Sequence, residues 1–228
     1  MINFFRKFFI RNEADKFKLY LTRGLANRLF YFERMFQKIV SVPGEIVECG
    51  VGKAKSFQML AILMNQYGRK EKLWGFDSYE GYPEPTKEDE SPRKRVAGEW
   101  NFLGDHLVVD VLRHAGIQDE LLSRVKLVKG FVEETLPKTK DQMGPIALLH
   151  LDINLYSGYK ACLENLFPKV AKGGVVLFDE YMNRNDLEAC PGAKKAIDEY
   201  FAGLPAVAGK PYKIERDERY GKYFVVKA

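Results

Sequence analysis

Two apolar runs that end in acids constrain this chain most: Leu148-Leu149-His150-Leu151-Asp152-Ile153-Asn154 and Val175-Val176-Leu177-Phe178-Asp179-Glu180-Tyr181. A continuous apolar run suits a parallel strand covered on both faces, and the C-terminal edge of such a sheet opens into the crevice where α/β proteins hold ligands. Asp152, Asp179 and Glu180 would then converge at one edge as hard oxygen donors, suited to Mg²⁺ or a similar divalent ion. The competing reading is that these acids cap helices or bind loop amides.

The rest of the chain supplies the frame for those strands. Apolar residues at helical spacing from Ala14 to Val40, among them Phe17, Tyr20, Leu21, Phe32 and Phe36, predict one or two helices that end before Pro43-Gly44. Strands are expected at Ile46–Val51, Leu73–Ser78, Val125–Lys129 and in the two acidic runs, and helices at Ala54–Tyr67, Gly104–Ala115, Tyr159–Val170 and Ala193–Phe201. Two short β-like segments, Tyr212–Glu215 and Tyr223–Lys227, close the chain around Gly221. Strands alternating with helices mean a doubly wound, mostly parallel seven-stranded α/β sheet, ending here in an antiparallel hairpin. Residues 1–40 read as an N-terminal helical extension and 41–228 as one domain. The polar stretch Tyr79–Asn101 is too long for a simple connection and predicts a lid that is mobile without ligands.

Composition narrows the function classes. A net charge of +5, with Lys and Arg spread among nearly as many acids, does not indicate a nucleic-acid partner. The run Arg93-Lys94-Arg95 reads as a solvated loop. No apolar stretch approaches the roughly 20 residues that span a bilayer. The opening Met1 to Arg11 lacks a signal-peptide core, and its aromatic and basic residues suit docking on this protein or a second subunit, with weak contact to a membrane surface as the alternative. The three distant cysteines, Cys49, Cys162 and Cys190, form no metal or redox motif and fit reduced thiols in a cytoplasmic protein. A homo-oligomer is expected.

The first strand opens into Glu48-Cys49-Gly50-Val51-Gly52-Lys53-Ala54-Lys55-Ser56. Glycines at a strand-to-helix turn let the backbone approach a ligand closely, and the helix N-terminus offers unpaired amides. Lys55 stands where a third glycine would complete a dinucleotide fingerprint. Asp77 ends the second strand, where an acid can accept hydrogen bonds from ribose hydroxyls or, alternatively, cap its own loop. Both NAD and S-adenosylmethionine carry such a ribose.

With these residues in hand the chain resembles the macrocin O-methyltransferase family, class I S-adenosylmethionine enzymes that methylate sugar hydroxyls. Ordered matches run from Val42-Pro43-Gly44-Glu45-Ile46-Val47-Glu48-Cys49-Gly50-Val51 through Phe76-Asp77-Ser78-Tyr79-Glu80-Gly81-Tyr82-Pro83 and Gly130-Phe131-Val132-Glu133-Glu134-Thr135-Leu136-Pro137. They continue in His150 to Tyr156, Pro168 to Gly174, Phe178 to Tyr181 and Pro191 to Tyr200. The resemblance implies a Rossmann-like class I methyltransferase fold. It implies that Glu48, Gly50, Val51, Gly52 and Ser56 of the turn, with Asp77, Ser78 and Asp152, hold S-adenosylmethionine, and that Gly130 and Phe131 lie near the adenine. It also implies that Asp152, Asp179 and Glu180 hold Mg²⁺ or Mn²⁺. Two departures stand out: Glu180 replaces the usual second Asp of the pair, and Asn154 stands where Asp is common. Lys53 and Lys55 likewise replace small residues.

The chemistry follows from the residue types. A divalent cation beside a sugar oxygen stabilises the alkoxide that develops as the proton leaves, while the sulfonium supplies an activated methyl group. Asp152 is expected both to bind the cation and to accept the hydroxyl proton. His150 reads as a buried or supporting residue rather than the base, His106 as exposed, and His114 as without a role. Tyr79, Tyr82, Trp100 and Phe102 either stack on a sugar or pack the loop down. The expected function is O-methylation of a sugar hydroxyl on a glycoside or nucleotide sugar. A NAD-dependent oxidoreductase and a non-catalytic cofactor-binding subunit are the alternatives.

Overall fold

The computed structural model describes residues 22–101, 104–182, 189–206 and 212–228. Met1 to Arg11, Phe17, Tyr20, Leu21 and Phe102 lie outside the described residues. Helix α1 (Arg23–Lys38) is followed by β1 (Glu45–Cys49), α2 (Lys55–Gln66), β2 (Leu73–Asp77), α3 (Asp105–His114), α4 (Asp119–Leu122) and β3 (Val125–Lys129). Then come α5 (Val132–Thr139), β4 (Ile146–Leu151), α6 (Tyr156–Leu166), β5 (Val170–Phe178), α7 (Pro191–Gly203), β6 (Glu215–Arg216) and β7 (Tyr223–Val226). The seven strands order as β3-β2-β1-β4-β5-β7-β6. The first five pair in parallel, and β7 runs antiparallel to both β5 and β6.

Period-two alternation divides the apolar residues between two cores. Ile46, Leu148, Val175 and Leu177 face α1, α2 and α3, while Val47, Cys49, Leu149, Leu151 and Phe178 face α5, α6 and α7. Strands β1 and β4 are buried at every residue, as continuous apolar runs require in a sheet covered on both faces. Helix α1 contributes Tyr31, Phe32, Met35, Phe36 and Ile39 to the first core, so the described part of the N-terminal segment packs on the sheet. Thr22 caps it, accepting from the Leu25 amide at 3.2 Å.

Several elements differ from expectation: the short α4 was not expected, and of the β-like segment Tyr212–Glu215 only Glu215 lies in a strand, β6. The helix expected to run to Val170 stops at Leu166, and a 3₁₀ turn with Pro168 leads into a nine-residue β5 that starts at Val170. Helix α5 was not expected, because Pro137 reads as a breaker. It stands there at the sixth position of an eight-residue helix, and Thr135 and Thr139 hydroxyls bond the carbonyls of Phe131 and Thr135.

The stretch Tyr79–Asn101, expected to form a lid, bonds to the rest of the domain. Asp89 accepts from the Thr86 amide at 2.9 Å and from the Tyr156 amide at 2.8 Å, which caps α6. Arg95 is nearly buried and donates to the Ala189 carbonyl (2.8 Å), the Tyr82 hydroxyl (2.6 Å) and the Cys190 sulfur (2.8 Å). Tyr82 and Gly98 exchange backbone bonds with the opposing strand of the loop. Such a set of buried charged and backbone bonds fixes a segment that composition alone marks as loose.

The two glycines of the β1–α2 turn differ in what they tolerate. Gly50 has φ 92°, and a Cβ there would stand 1.8 Å from the Asp152 carbonyl oxygen, whereas Gly52 has φ 52° with open space around it. Gly50→Ala should cost at least about 3 kcal/mol in thermal or denaturant unfolding, and Gly52→Ala only the left-handed backbone strain of about 1–2 kcal/mol. Equal losses would show that the close approach at Gly50 does not govern the turn.

Candidate active site

A cavity of about 450 Å³ opens over the C-terminal ends of β1, β2, β4 and β5. Of the residues expected to hold the cofactor, Gly50, Val51, Gly52, Ser56, Asp77, Ser78, Phe131 and Asp152 line it, whereas Glu48 and Gly130 do not. The same wall carries Asp179 and Glu180, and the long loop adds Gly81, Tyr82, Pro83 and Trp100. Tyr79 belongs to the core, and His106 and His114 are exposed on α3.

The cofactor half is built from the backbone. The Gly50 amide bonds the Phe76 carbonyl at 2.8 Å, which brings the turn beside the end of β2. The Asp77 carboxylate accepts from the Gly52 amide at 2.8 Å and the Tyr79 amide at 2.7 Å, so it ties the glycine turn to the loop that follows β2. Each oxygen keeps a lone pair for a further donor. Ser78 is fixed by donating to the Gly81 carbonyl at 2.6 Å. Helix α2 starts after Ala54, at φ 57°, with no side chain capping its first turn. The Gly130 amide bonds the Asp77 carbonyl at 2.9 Å and sets Phe131 at the start of α5, against the cavity.

The acidic half is electrostatically uneven. The Asp152 amide bonds Cys49 and the Asp179 amide bonds Leu151, so both acids follow directly from neighbouring strand ends. Arg28 spans them, 3.5 Å from Asp152 Oδ2 and 3.2 Å from Asp179 Oδ1. Lys222 donates to the Asp179 carbonyl at 2.9 Å and to its carboxylate at 2.8 Å. Burial and the neighbouring Asp179 charge push Asp152 up to about 6. Burial would raise Asp179 as well, but Lys222 and Arg28 outweigh it and hold that carboxyl at about 2. Asp179 is therefore a fixed anion and Asp152 the group poised to exchange a proton near neutrality.

Glu180 does not join this pair. Its Oε2 accepts from the Tyr159 hydroxyl at 2.7 Å and lies 3.4 Å from the Asn154 amide, and burial followed by the charges of Asp152 and Asp179 drives its carboxyl well above the usual range. The described residues that bring ligand atoms within 4.8 Å of one another are His150, Asp152 and Asp179. Glu180, expected as the third carboxylate, is not in this group, and the imidazole in it comes from the same face of β4, two residues before Asp152. Glu48, expected at the cofactor, is wholly buried and meets His150 Nδ1 at 2.7 Å.

Arg28 and Lys222 were missed from sequence. Arg28 had a signal: it falls three, four and seven residues before Tyr31, Phe32 and Met35, a charge on the apolar stripe of α1. Lys222 lies in a polar turn that gives no such cue.

The sign of the pH dependence in metal-free protein follows from these shifts. Between the ordinary Asp value near 3.9 and about 6, the folded chain keeps a proton on Asp152 that the unfolded chain has released, so that group's contribution falls as pH rises through this window. The Asp179 contribution is present above about 4 and is lost as pH falls toward about 2. Arg28→Met removes the cation shared by both, and should cost on the order of 1–3 kcal/mol at pH 7 and less at pH 5, where Asp152 is protonated. Melting curves in chelator at the two pH values check this; an equal loss at both would mean that Arg28 acts by packing alone.

Comparison with known proteins agrees with this layout. The sequence profile of the macrocin-O-methyltransferase family (TylF) matches residues 12–206. A demethyldecarbamoylnovobiocin O-methyltransferase of Streptomyces niveus is 32% identical over 182 residues, covering 79% of this chain and 66% of that protein. The 8-demethyl-8-(2,3-dimethoxy-alpha-L-rhamnosyl)-tetracenomycin-C 4'-O-methyltransferase of Streptomyces olivaceus is 30% identical over 161 residues, 70% of this chain and 58% of that one. The chain therefore spans 58% to 66% of the length of these relatives. Among solved structures, the calicheamicin methyltransferase CalS11 is similar with a TM-score of 0.77 at 25% identity, over 93% of this chain and 83% of that one. The O-methyltransferase NovP follows with 0.69 at 25% identity, over 89% and 80%. The profile match runs through the glycine turn and both acidic strand ends, and the chain belongs to the macrocin O-methyltransferase family.

Proposed function

We propose that this chain transfers the methyl group of S-adenosylmethionine to a sugar hydroxyl on a glycoside or nucleotide sugar, with a divalent cation, Mg²⁺ or Mn²⁺, at Asp152 and Asp179. The observation that carries the reading is that a single cavity is lined on one side by the glycine turn, Asp77 and Phe131, and on the other by Asp152 and Asp179. A donor with a ribose and a hydroxylated acceptor would meet there. The sugar-directed names of the relatives support the same acceptor class. A nicotinamide reading would use the turn and Asp77 but leave the acidic pair without a task.

The donor set fits a divalent cation. Opposite ligands of an ion bound at about 2.0–2.2 Å stand about 4–4.4 Å apart, and the three ligand atoms of His150, Asp152 and Asp179 already lie within 4.8 Å. When bound, the cation would lower the cost of forming an alkoxide on the acceptor. The chain's own groups would do the rest. Asp77 would accept the ribose hydroxyls, and Phe131 would cover the adenine. Asp152 would take the hydroxyl proton through its free oxygen. Tyr82, Pro83 and Trp100 would close the acceptor side and keep water from the sulfonium.

Two measurements test this. In calorimetry, Asp77→Ala should weaken S-adenosylmethionine and its demethylated product by on the order of 1.5–3 kcal/mol. Asp77→Asn, which keeps one acceptor for the turn, should recover the fold but only part of the affinity. Unchanged affinity in both removes Asp77 from the site. A screen with a labelled methyl donor should find turnover on nucleotide sugars or glycosides, lost in Asp152→Asn and Asp179→Asn. Turnover confined to catechols or amines would refute the sugar assignment.

A further inference from the structure

We propose that the cation at this edge takes His150 as a nitrogen ligand beside Asp152 and Asp179, and that the site therefore prefers a borderline transition ion, Mn²⁺, Co²⁺ or Zn²⁺, over Mg²⁺. The inference rests on the reading that the acidic pair holds a divalent cation.

His150 is nearly inaccessible, 1% exposed, with Phe32 of α1 standing edge-on to its ring at 5.0 Å. The pairing of β1 with β4 sets Glu48 directly opposite His150, and the Glu48 carboxylate meets Nδ1 at 2.7 Å. In the tautomer that donates from Nδ1 to this carboxylate, the ring lone pair lies on Nε2. With Nδ1 committed, Nε2 is the nitrogen that remains for the two aspartates. Glu48 is itself fully buried, and its second oxygen, Oε2, has no hydrogen-bond partner among the described residues. Burying a carboxylate at 0% exposure for one hydrogen bond is costly unless the imidazole it orients has a task. A carboxylate bonded to a ring that offers a ligand atom within 4.8 Å of two acids is the arrangement that supports metal-binding histidines.

The carboxylate expected as third ligand is engaged elsewhere, since Glu180 holds the Tyr159 hydroxyl. Two aspartates and one imidazole make a mixed oxygen and nitrogen set. Mg²⁺ favours oxygen donors throughout, while imidazole raises affinity for ions later in the first-row series. Lys222 can stay on one oxygen of Asp179. Arg28, whose side chain is 32% exposed and lines the cavity, would withdraw from between the acids as the ion enters.

The experiment is Mn²⁺ titration of the intact protein, read by electron paramagnetic resonance and by electron spin echo modulation. Bound Mn²⁺ should show the ¹⁴N modulation of a directly coordinated imidazole. Asp179→Asn should lose it, and His150→Gln should bind Mn²⁺ at least about tenfold more weakly and without the nitrogen signal. Competition should show Co²⁺ displacing Mn²⁺ at a concentration at least about tenfold below that of Mg²⁺. If the spectrum stays that of free Mn²⁺ at millimolar protein, the cation site itself is absent and the inference falls with it. If Mn²⁺ binds but carries only water-proton modulation, the cation reading stands and the histidine ligand is refuted. Nitrogen modulation that survives in Asp179→Asn refutes it equally. The unaltered protein's spectrum decides the point even where His150→Gln fails to fold.

Discussion

Two carboxylates that follow the ends of adjacent strands repel each other, and much of this molecule is arranged around that repulsion. Asp152 and Asp179 are placed by parallel β4 and β5, so their separation is fixed by the sheet and no side-chain rotation can relieve it fully. The compensating cations come from opposite ends of the chain. Arg28 arrives on α1, whose Tyr31, Phe32 and Met35 are packed on the sheet, and Lys222 arrives just before β7, the strand that pairs antiparallel with β5. Burial raises both acids, but Lys222 and Arg28 outweigh it at Asp179, while Asp152, with the longer contact to Arg28, is pushed up to about 6.

The cofactor half depends on the same sheet edge by a different physics. At Gly50 the chain passes so near the Asp152 carbonyl that any side chain would collide with backbone. That contact brings the turn over β1 against the acid at the end of β4 without a flexible intermediary. Asp77 extends the link by bonding amides on both sides of the crevice floor. A carboxylate already committed to its loop does not exclude a ligand role, because each oxygen bonds only one amide in the turn.

What was legible in the sequence had a period or a punctuation mark. Continuous apolar runs gave β1, β4 and β5, Gly50 and Gly52 gave the turn, and acids at strand ends gave the edge. Contacts between distant segments left no such mark. The Glu48 to His150 pair needs the β1–β4 register, and Lys222 needs the antiparallel return of β7. Arg28 was visible as a charge on an apolar stripe, yet its partner could not be named before α1 was placed on the sheet. The loop 79–101 is polar in composition, and its contacts with the domain come from single buried residues that no sequence period marks, Asp89 on the α6 amide and Arg95 on three acceptors. Helix α5 was hidden by Pro137, whose lost hydrogen bond matters little in a helix of eight residues with leucine and valine buried on one face.

Glu180 shows how one methylene redirects a site. An Asp at this position would keep its carboxylate close to the strand end, within the field of Asp152 and Asp179. The longer Glu arm reaches the Tyr159 hydroxyl on α6, and it turns its second contact to the amide of Asn154, a residue in the left-handed region at φ 63°. Burial among two other acids makes the neutral form of Glu180 favourable, and Tyr159 gives it a neutral partner, so the group leaves the charge balance of the edge. Among the described residues, the side chain that meets the two aspartates with a possible ligand atom is the imidazole beside Glu48. The longer arm of Glu180 would thus leave the proposed site with oxygen donors beside the nitrogen of a histidine that belongs to the family-like His150 to Tyr156 segment.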